Sequence, residues 1–123
     1  MKPVFGEIVL AAGGIYSSKP RPVLVFQNQE VFTGESILVI PLTSVNNPEI
    51  QVRVAVKPSG QNGLDRDCYL EVDKLSAIKR VCISESIGVL EAEALLKVQE
   101  MLSVLLKQEQ GRKGKTDKSK SGK

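Results

Sequence analysis

The sequence predicts a mainly β (α+β) domain, a small antiparallel β-barrel followed by one C-terminal α-helix. Short runs rich in Val, Ile and Leu are separated by clusters of Gly, Pro and Asn, which is typical of strands and turns. A single segment with helical periodicity follows these runs, and neither repeats nor alternating helices interrupt them. The length of 123 residues suits one domain with a modest hydrophobic core.

Six segments have the composition of β-strands. They are residues 7–11, 22–27, 36–42, 50–56, 68–72 and, more weakly, 75–83. In the fourth segment Val52, Val54 and Val56 alternate with Gln51, Arg53 and Ala55, so we expect one face of that strand to be solvated.

One amphipathic helix is predicted over residues 90–107. Its apolar residues recur at spacings of three and four, namely Ala94, Leu95, Val98, Met101, Leu102 and Leu105. Glu91 and Glu93 fall in the first turn, where the helix dipole favours anions. We expect this helix to pack on the sheet.

Charge divides the chain into a domain, residues 1–110, and a basic tail, residues 111–123. The tail contains six basic residues against one acidic residue and has nothing apolar to bury, so we expect it to be disordered. The whole chain carries +3, so the domain itself carries −2. Such a domain is not a general polyanion binder, and any contact with a polyanion needs a local basic patch.

Histidine is absent, which excludes Ser-His-Asp triads, Cys-His nucleophiles and His-ligated zinc. The two cysteines, Cys68 and Cys82, are too few for a disulfide framework or a four-cysteine zinc site. Reduced thiols are expected, with a single bridge as the alternative. The sequence shows neither a signal peptide nor a membrane span, and we therefore expect a cytoplasmic protein.

Two segments carry groups suited to chemistry. In the first, Pro20 and Pro22 stiffen the backbone around Arg21 at the start of a strand. In the second, an apolar strand ends in the hydroxyls of Thr43 and Ser44. A surface ion pair for Arg21 and hydrogen bonds to the next turn for the hydroxyls are the structural alternatives.

Taken together, these segments resemble the signature strands of the MazF/PemK-like toxins, the mRNA interferases. The similarity lies in RPVLVFQN and ILVIPLTS, in the opening GEIVLA and in the helical GVLEAEALLKVQEMLSVLL, and it spans about residues 5–107. It implies an SH3-like barrel with a C-terminal helix, a cytoplasmic homodimer of a type II toxin–antitoxin system. It also implies sequence-selective cleavage of single-stranded RNA without metal or other cofactor, inhibited by a MazE-like antitoxin with an acidic, disordered segment.

The resemblance also implies the site. Arg21 and Thr43 match the catalytic pair, and Ser44 neighbours it. Tyr16 and Lys19 fall in the loop over the RNA groove. The segment from Asp73 and Lys74 to Ser76 matches a base-recognition motif whose acid is kept, while its Gln and Arg are lost.

The chemistry implied is attack by the ribose 2′-hydroxyl on its own phosphorus, which leaves a 2′,3′-cyclic phosphate and a 5′-hydroxyl. The guanidinium of Arg21 can donate two hydrogen bonds to phosphate oxygens, and the Thr43 hydroxyl can position another. Since neither is a natural general base, we expect slow turnover that depends on orientation and electrostatics.

Three other functions remain open at this point. A gyrase poison of the CcdB type shares the fold, although its family uses an aromatic C-terminus that this chain lacks. A metal nuclease could use Asp65, Asp67, Glu71 and Asp73. A non-catalytic RNA- or protein-binding barrel would explain the altered segment at Asp73.

Overall fold

The computed structural model describes residues 2–13 and 19–107, which form seven strands, one α-helix and two 3₁₀ turns. The elements are β1 Glu7–Ala11, β2 Arg21–Val25, β3 Ser36–Thr43, β4 Arg53–Val56, β5 Cys68–Glu71, β6 Ser76–Lys79, β7 Ile83–Val89 and α1 Ala92–Leu105, with 3₁₀ turns at Val72–Lys74 and Arg80–Cys82. Tyr16 and the basic tail lie outside the described residues.

Strand β3 is the centre of the architecture because it is long enough to pair with three neighbours. The order along the sheet is β4-β5-β3-β2-β1-β7, every pair being antiparallel. Strand β6 pairs with the first half of β3, at Ser36 to Val39, whereas β5 pairs with its end, at Leu42 and Thr43. The predicted mainly β fold with a C-terminal helix is therefore confirmed.

The sheet curls without closing, which is a small difference from the predicted barrel. Within the described residues no strand ladder joins β4 to β7, the two ends of the order. The loop after β4 covers the gap instead, since the backbone N–H of Val89 donates to the Gln61 carbonyl at 2.9 Å. A loop thus occupies the place of the last ladder.

Apolar residues fill both faces of the central strands. One cluster, which includes Ile8, Leu24, Ile40, Leu70 and Val98, lies between the sheet and α1. The second lies on the opposite face by the alternation of each strand, and its members are Val9, Ala11, Val23, Val25, Ile37, Val39 and Ile78. Burial on both faces explains why β1 to β3 read as continuous apolar runs.

The helix and the six predicted strands are present; β1 has its predicted bounds and the others have shifted ends. Strand β4 begins three residues later than its predicted segment, and β2 begins one residue earlier, at Arg21. Strand β7 was not predicted. Both cysteines are free thiols, Cys68 buried and Cys82 half-buried. Among the described residues, no helix is sufficiently long and apolar to cross a membrane.

Candidate functional site

A groove of about 610 Å³ opens where the start of β2 and the end of β3 approach the loop that follows β4. Arg21 and Thr43 line it, together with Lys19 and Ser44. Four of the seven residues that the sequence proposed for the site therefore line one groove, and they come from the start of β2 and the end of β3 with the residues next to them.

The register of the sheet explains why Arg21 and Thr43 line one groove. Val23 pairs with Pro41, so Arg21 and Thr43 each lie two residues beyond that pair, toward the same end of β2 and β3. On its other side Arg21 pairs with Ala11 of β1, which holds its backbone in the sheet. Both residues line the same groove, which brings a guanidinium and a hydroxyl to one site.

The Thr43 hydroxyl has a defined local partner. Its Oγ1 accepts a hydrogen bond from the Val45 backbone N–H at 3.2 Å, which is the turn contact that the sequence offered as the structural alternative. Because the oxygen accepts this bond, the hydroxyl hydrogen remains a donor. Thr43 can thus stabilise the turn and donate to a phosphate oxygen at the same time.

Asp73 and Lys74 do not line the groove. They belong to an ion cluster beside it, in which Arg53 Nε lies 2.9 Å from Asp73 Oδ1 and Arg53 Nη2 lies 3.3 Å from Glu71 Oε2. Lys74 Nζ is 3.5 Å from the same Glu71 oxygen. Glu71 itself lines the groove, so the cluster reaches the site through Glu71.

Within the ion cluster, the pair of Arg53 and Asp73 favours the charged forms of both groups. The hydrogen bond from Arg53 lowers the pKa of Asp73, with a smaller opposing effect of burial. The same bond raises the pKa of Arg53, whose side chain is only 10% exposed. Because both carboxylate oxygens of Asp73 accept hydrogen bonds from Arg53, Asp73 has less capacity left to accept a hydrogen bond from an RNA base.

The sequence did not predict that the loop after β4 lines the groove. Gly63, Leu64, Asp65 and Arg66 belong to this part of the lining, and of these the sequence offered only Asp65, as a metal ligand. The Asn-Gly pair at 62–63 signals a turn but not its position in the fold. Within the part of the chain that the structure describes, no group of three or more His, Cys, Asp or Glu side chains is placed to hold a metal ion.

Cys68 lies at the groove as well, but as a thiol. Burial is the main cause that raises its pKa, and its Sγ donates to the Arg66 carbonyl at 3.4 Å. A thiol with a raised pKa is a poor nucleophile. Its role here is to pack beneath the loop.

Comparison with known proteins identifies the class. The family model described as PemK-like, MazF-like toxin of type II toxin–antitoxin system matches residues 5–106. The chain is thus a toxin of the type II toxin–antitoxin class. It belongs to the PemK-like, MazF-like toxin family, as its two signature strands predicted.

Individual relatives agree with this assignment. The chain is 29% identical over 102 residues to the probable endoribonuclease MazF of Mycolicibacterium smegmatis, covering 82% of this chain and 94% of that protein. The fold is similar to Mycobacterium tuberculosis toxin MazF-mt6, with a TM-score of 0.69 at 22% identity over 82% of this chain and 96% of that one. It is also similar to a Deinococcus radiodurans MazE–MazF structure, with a TM-score of 0.68 at 20% identity over 86% and 96% of the two chains.

Proposed function

We propose that this MazF-like toxin is a sequence-selective endoribonuclease that cleaves single-stranded RNA in the groove between Arg21 and Thr43, without a metal ion. The observation that carries the proposal is the convergence of these two residues, from adjacent strands, on one groove. The curated relative named as a probable endoribonuclease supports the same activity.

In the proposed reaction the ribose 2′-oxygen forms a bond to the adjacent phosphorus while the bond from phosphorus to the 5′-oxygen breaks. The 2′-hydroxyl proton passes to water, and the departing 5′-oxygen takes a proton from water. The products are a 2′,3′-cyclic phosphate and a 5′-hydroxyl. Negative charge grows on the phosphoryl oxygens, where donors that are already in place act most strongly.

Each site residue then has a task. The planar guanidinium of Arg21 is always charged and can donate two parallel hydrogen bonds to the non-bridging oxygens. The Thr43 hydroxyl donates to one of those oxygens, while Lys19 and Ser44 line the path of the RNA backbone. Tyr16, which precedes Lys19 in the sequence, is proposed to contact the RNA. Asp73 and Lys74, which lie next to Glu71, are proposed to recognise an RNA base beyond the catalytic pair.

The proposed partners follow from charge and from the family. The structural relatives include an endoribonuclease bound to its cognate antitoxin, which matches this chain at a TM-score of 0.69 and 19% identity over 86% of this chain and 96% of that one. For this protein we propose an antitoxin of the MazE type whose acidic, disordered segment occupies the basic groove in place of RNA. A homodimer in the cytoplasm completes the proposal, a two-fold dimer being the commonest homo-oligomer.

The test compares three proteins, the wild type, Arg21→Ala and Arg21→Lys, on a long RNA in EDTA, with cut sites and end groups mapped. We expect discrete cuts by the wild type that leave cyclic phosphate and 5′-hydroxyl ends, and none by Arg21→Ala. Arg21→Lys is the matched control, because it keeps the charge and loses the planar fork.

Equal cutting by Arg21→Ala and wild type would contradict the catalytic role. If the folded wild type leaves several RNAs uncut, the endonuclease proposal is wrong. Inhibition of gyrase supercoiling would then identify a CcdB-type poison, and RNA binding without cutting would identify a non-catalytic barrel.

A further inference from the structure

We propose that Arg66 binds a second RNA phosphate in the groove that Arg21 also lines, and that the buried side chain of Asn62 holds the loop that presents Arg66. The inference rests on the proposed function, because it assigns an additional backbone contact within the same groove. Asn62 is a positioning residue in this scheme, since it acts through Arg66 and does not touch the RNA.

Arg66 has the chemistry that a second phosphate contact needs. Its side chain is 68% exposed, and it lines the same groove as Arg21. Its Nε donates to Asp65 Oδ1 at 3.2 Å, and this bond leaves the terminal amino groups of the guanidinium for a ligand. Lys19, Arg21 and Arg66 line the groove against the acidic Asp65 and Glu71, so the groove is locally more basic than the domain, which carries a net −2.

Asn62 organises the loop that carries Arg66. It is 0% exposed, and its side-chain amide is fully used. Oδ1 accepts from the backbone N–H groups of Ser59 and Leu64, each at 3.0 Å. Nδ2 donates to the Lys57 carbonyl at 2.9 Å and to Glu91 Oε1 at 3.1 Å. One side chain therefore ties together both ends of the loop and an element distant in sequence.

Glu91 anchors this network at the beginning of α1. Its carboxylate accepts from Ser59 Oγ at 2.6 Å as well as from Asn62. The bond from Ser59 is the main cause that lowers the pKa of Glu91, with a further contribution from Asn62. The carboxylate is therefore charged at neutral pH, and charge-assisted hydrogen bonds of this kind are stronger than neutral ones.

Strand β7 blocks movement of the loop on its other side. Gly63 has φ +72°, and a Cβ built there would lie 1.9 Å from the Ile87 carbonyl oxygen. A Cβ built on Gly88 would lie 2.4 Å from the Asn62 carbonyl carbon. The two backbones touch because both residues are glycine. The loop is thus fixed between β7 and α1 at Asn62 and Gly63, and this fixes the position of the residues that follow, Leu64 to Arg66.

The test measures binding without cutting. The probe is a labelled single-stranded RNA that carries a mapped cleavage site, with deoxyribose at the cut so that no 2′-hydroxyl can attack. Its dissociation constant is measured over a range of NaCl concentrations for wild type, Arg66→Ala, Asn62→Asp and the double variant Asn62→Asp/Arg66→Ala. Lys79→Ala, which removes a charge outside the groove lining, is the matched control, and thermal melting verifies that each variant is folded.

We expect Arg66→Ala to weaken binding roughly tenfold at low salt, as the loss of one charged hydrogen bond implies. The slope of log affinity against log salt should fall by about 0.7, the value for one phosphate contact on a single strand. Asn62→Asp should reproduce both changes. It replaces the Nδ2 donor to Glu91 by a carboxylate oxygen, which Glu91 repels, so the loop would lose this contact. The double variant should be no worse than either single variant.

A rescue experiment separates positioning from general stability. In Asn62→Asp/Glu91→Gln the new amide can donate to the new carboxylate, so we expect the salt slope to recover toward wild type. Glu91→Gln alone is the milder variant should Asn62→Asp fail to fold. An unchanged slope in Arg66→Ala would overturn the phosphate contact, and additive losses in the double variant would overturn the role of Asn62. Either result is compatible with cleavage that depends on Arg21, so the two proposals fail separately.

Discussion

Arg53 on β4 and Asp73 in the 3₁₀ turn after β5 form an ion pair, with Nε 2.9 Å from Oδ1. A second contact of 3.5 Å joins Nη2 to Oδ2, so the guanidinium meets the carboxylate side by side. This pair fixes the turn that leads into β6. It also engages Asp73, the acidic residue that the family resemblance assigns to base recognition, in hydrogen bonds within the protein. In this chain that acid therefore has a structural role in addition to any contact with RNA.

The Arg53–Asp73 pair should make stability depend on pH. The pKa of Asp73 is lowered in the folded protein, so the pair contributes fully above the unfolded value of about 3.9 and is lost as the pH falls through the folded value. We expect urea unfolding to show wild type more stable than Asp73→Asn by a constant margin from about pH 8 to 5. The margin should shrink below about pH 4. A margin independent of pH down to 3 would contradict this account.

Two variants of Thr43 should show whether its hydroxyl has a catalytic role or only a structural one. Thr43→Ser keeps the hydroxyl, and we expect cleavage close to wild type. Thr43→Val keeps the shape and loses the donor, so the single-turnover cleavage rate should fall by roughly a hundredfold, the lower end for removal of one oxyanion donor. Single-turnover cleavage of one mapped site is the measurement. Because the Val45 bond is also lost in Thr43→Val, the melting temperatures of both variants are compared, and equal rates in the two would eliminate the hydroxyl from the reaction.

Gly63 should be far less replaceable than Gly34, although both have positive φ, +72° and +76°. A Cβ on Gly34 meets nothing within 4 Å, so Gly34→Ala should cost only the backbone strain, about 1–2 kcal/mol. Gly63→Ala adds a clash with the Ile87 carbonyl and should cost more than about 3 kcal/mol of unfolding free energy. Chemical denaturation of the two variants gives the comparison. Similar losses in both would show that the loop can move away from β7.

The elements that could be predicted from the sequence are those with a local signal. Strand β1 matches its predicted bounds, Glu7–Ala11, because an apolar run there is bounded by Gly6 and the glycines at 13 and 14. Strand β7 has the sequence ISESIGV, polar and with a glycine, because it is an edge strand that is half exposed and pairs with β1 through bulges. Neither alternation nor an apolar run indicates such a strand.

The site residues also differ in whether the sequence contains a local signal for them. Arg21 and Thr43 could be proposed because the strands that they border resemble the family's signature strands, and both residues line one groove. The groove lining at Arg66 depends on a buried contact between Asn62 and Glu91, which are 29 residues apart. Such a contact has no periodic signature, and an Asn-Gly pair predicts a turn without its neighbours. The position of that loop at the groove therefore follows only from the three-dimensional structure.

The basic tail should act on RNA only through charge. Residues 111–123 carry six basic groups and one acidic group and nothing apolar, so deletion to residue 110 should leave the melting temperature and the cut pattern unchanged. Affinity for a long single-stranded RNA should fall at low salt and approach that of the full chain at high salt, where the phosphate contacts of the tail are screened. A full-length variant with the tail basic residues changed to Gln is the matched control, and it should bind like the deletion because length and composition without charge contribute nothing. A lower melting temperature of the deletion alone would show instead that the tail packs against the domain.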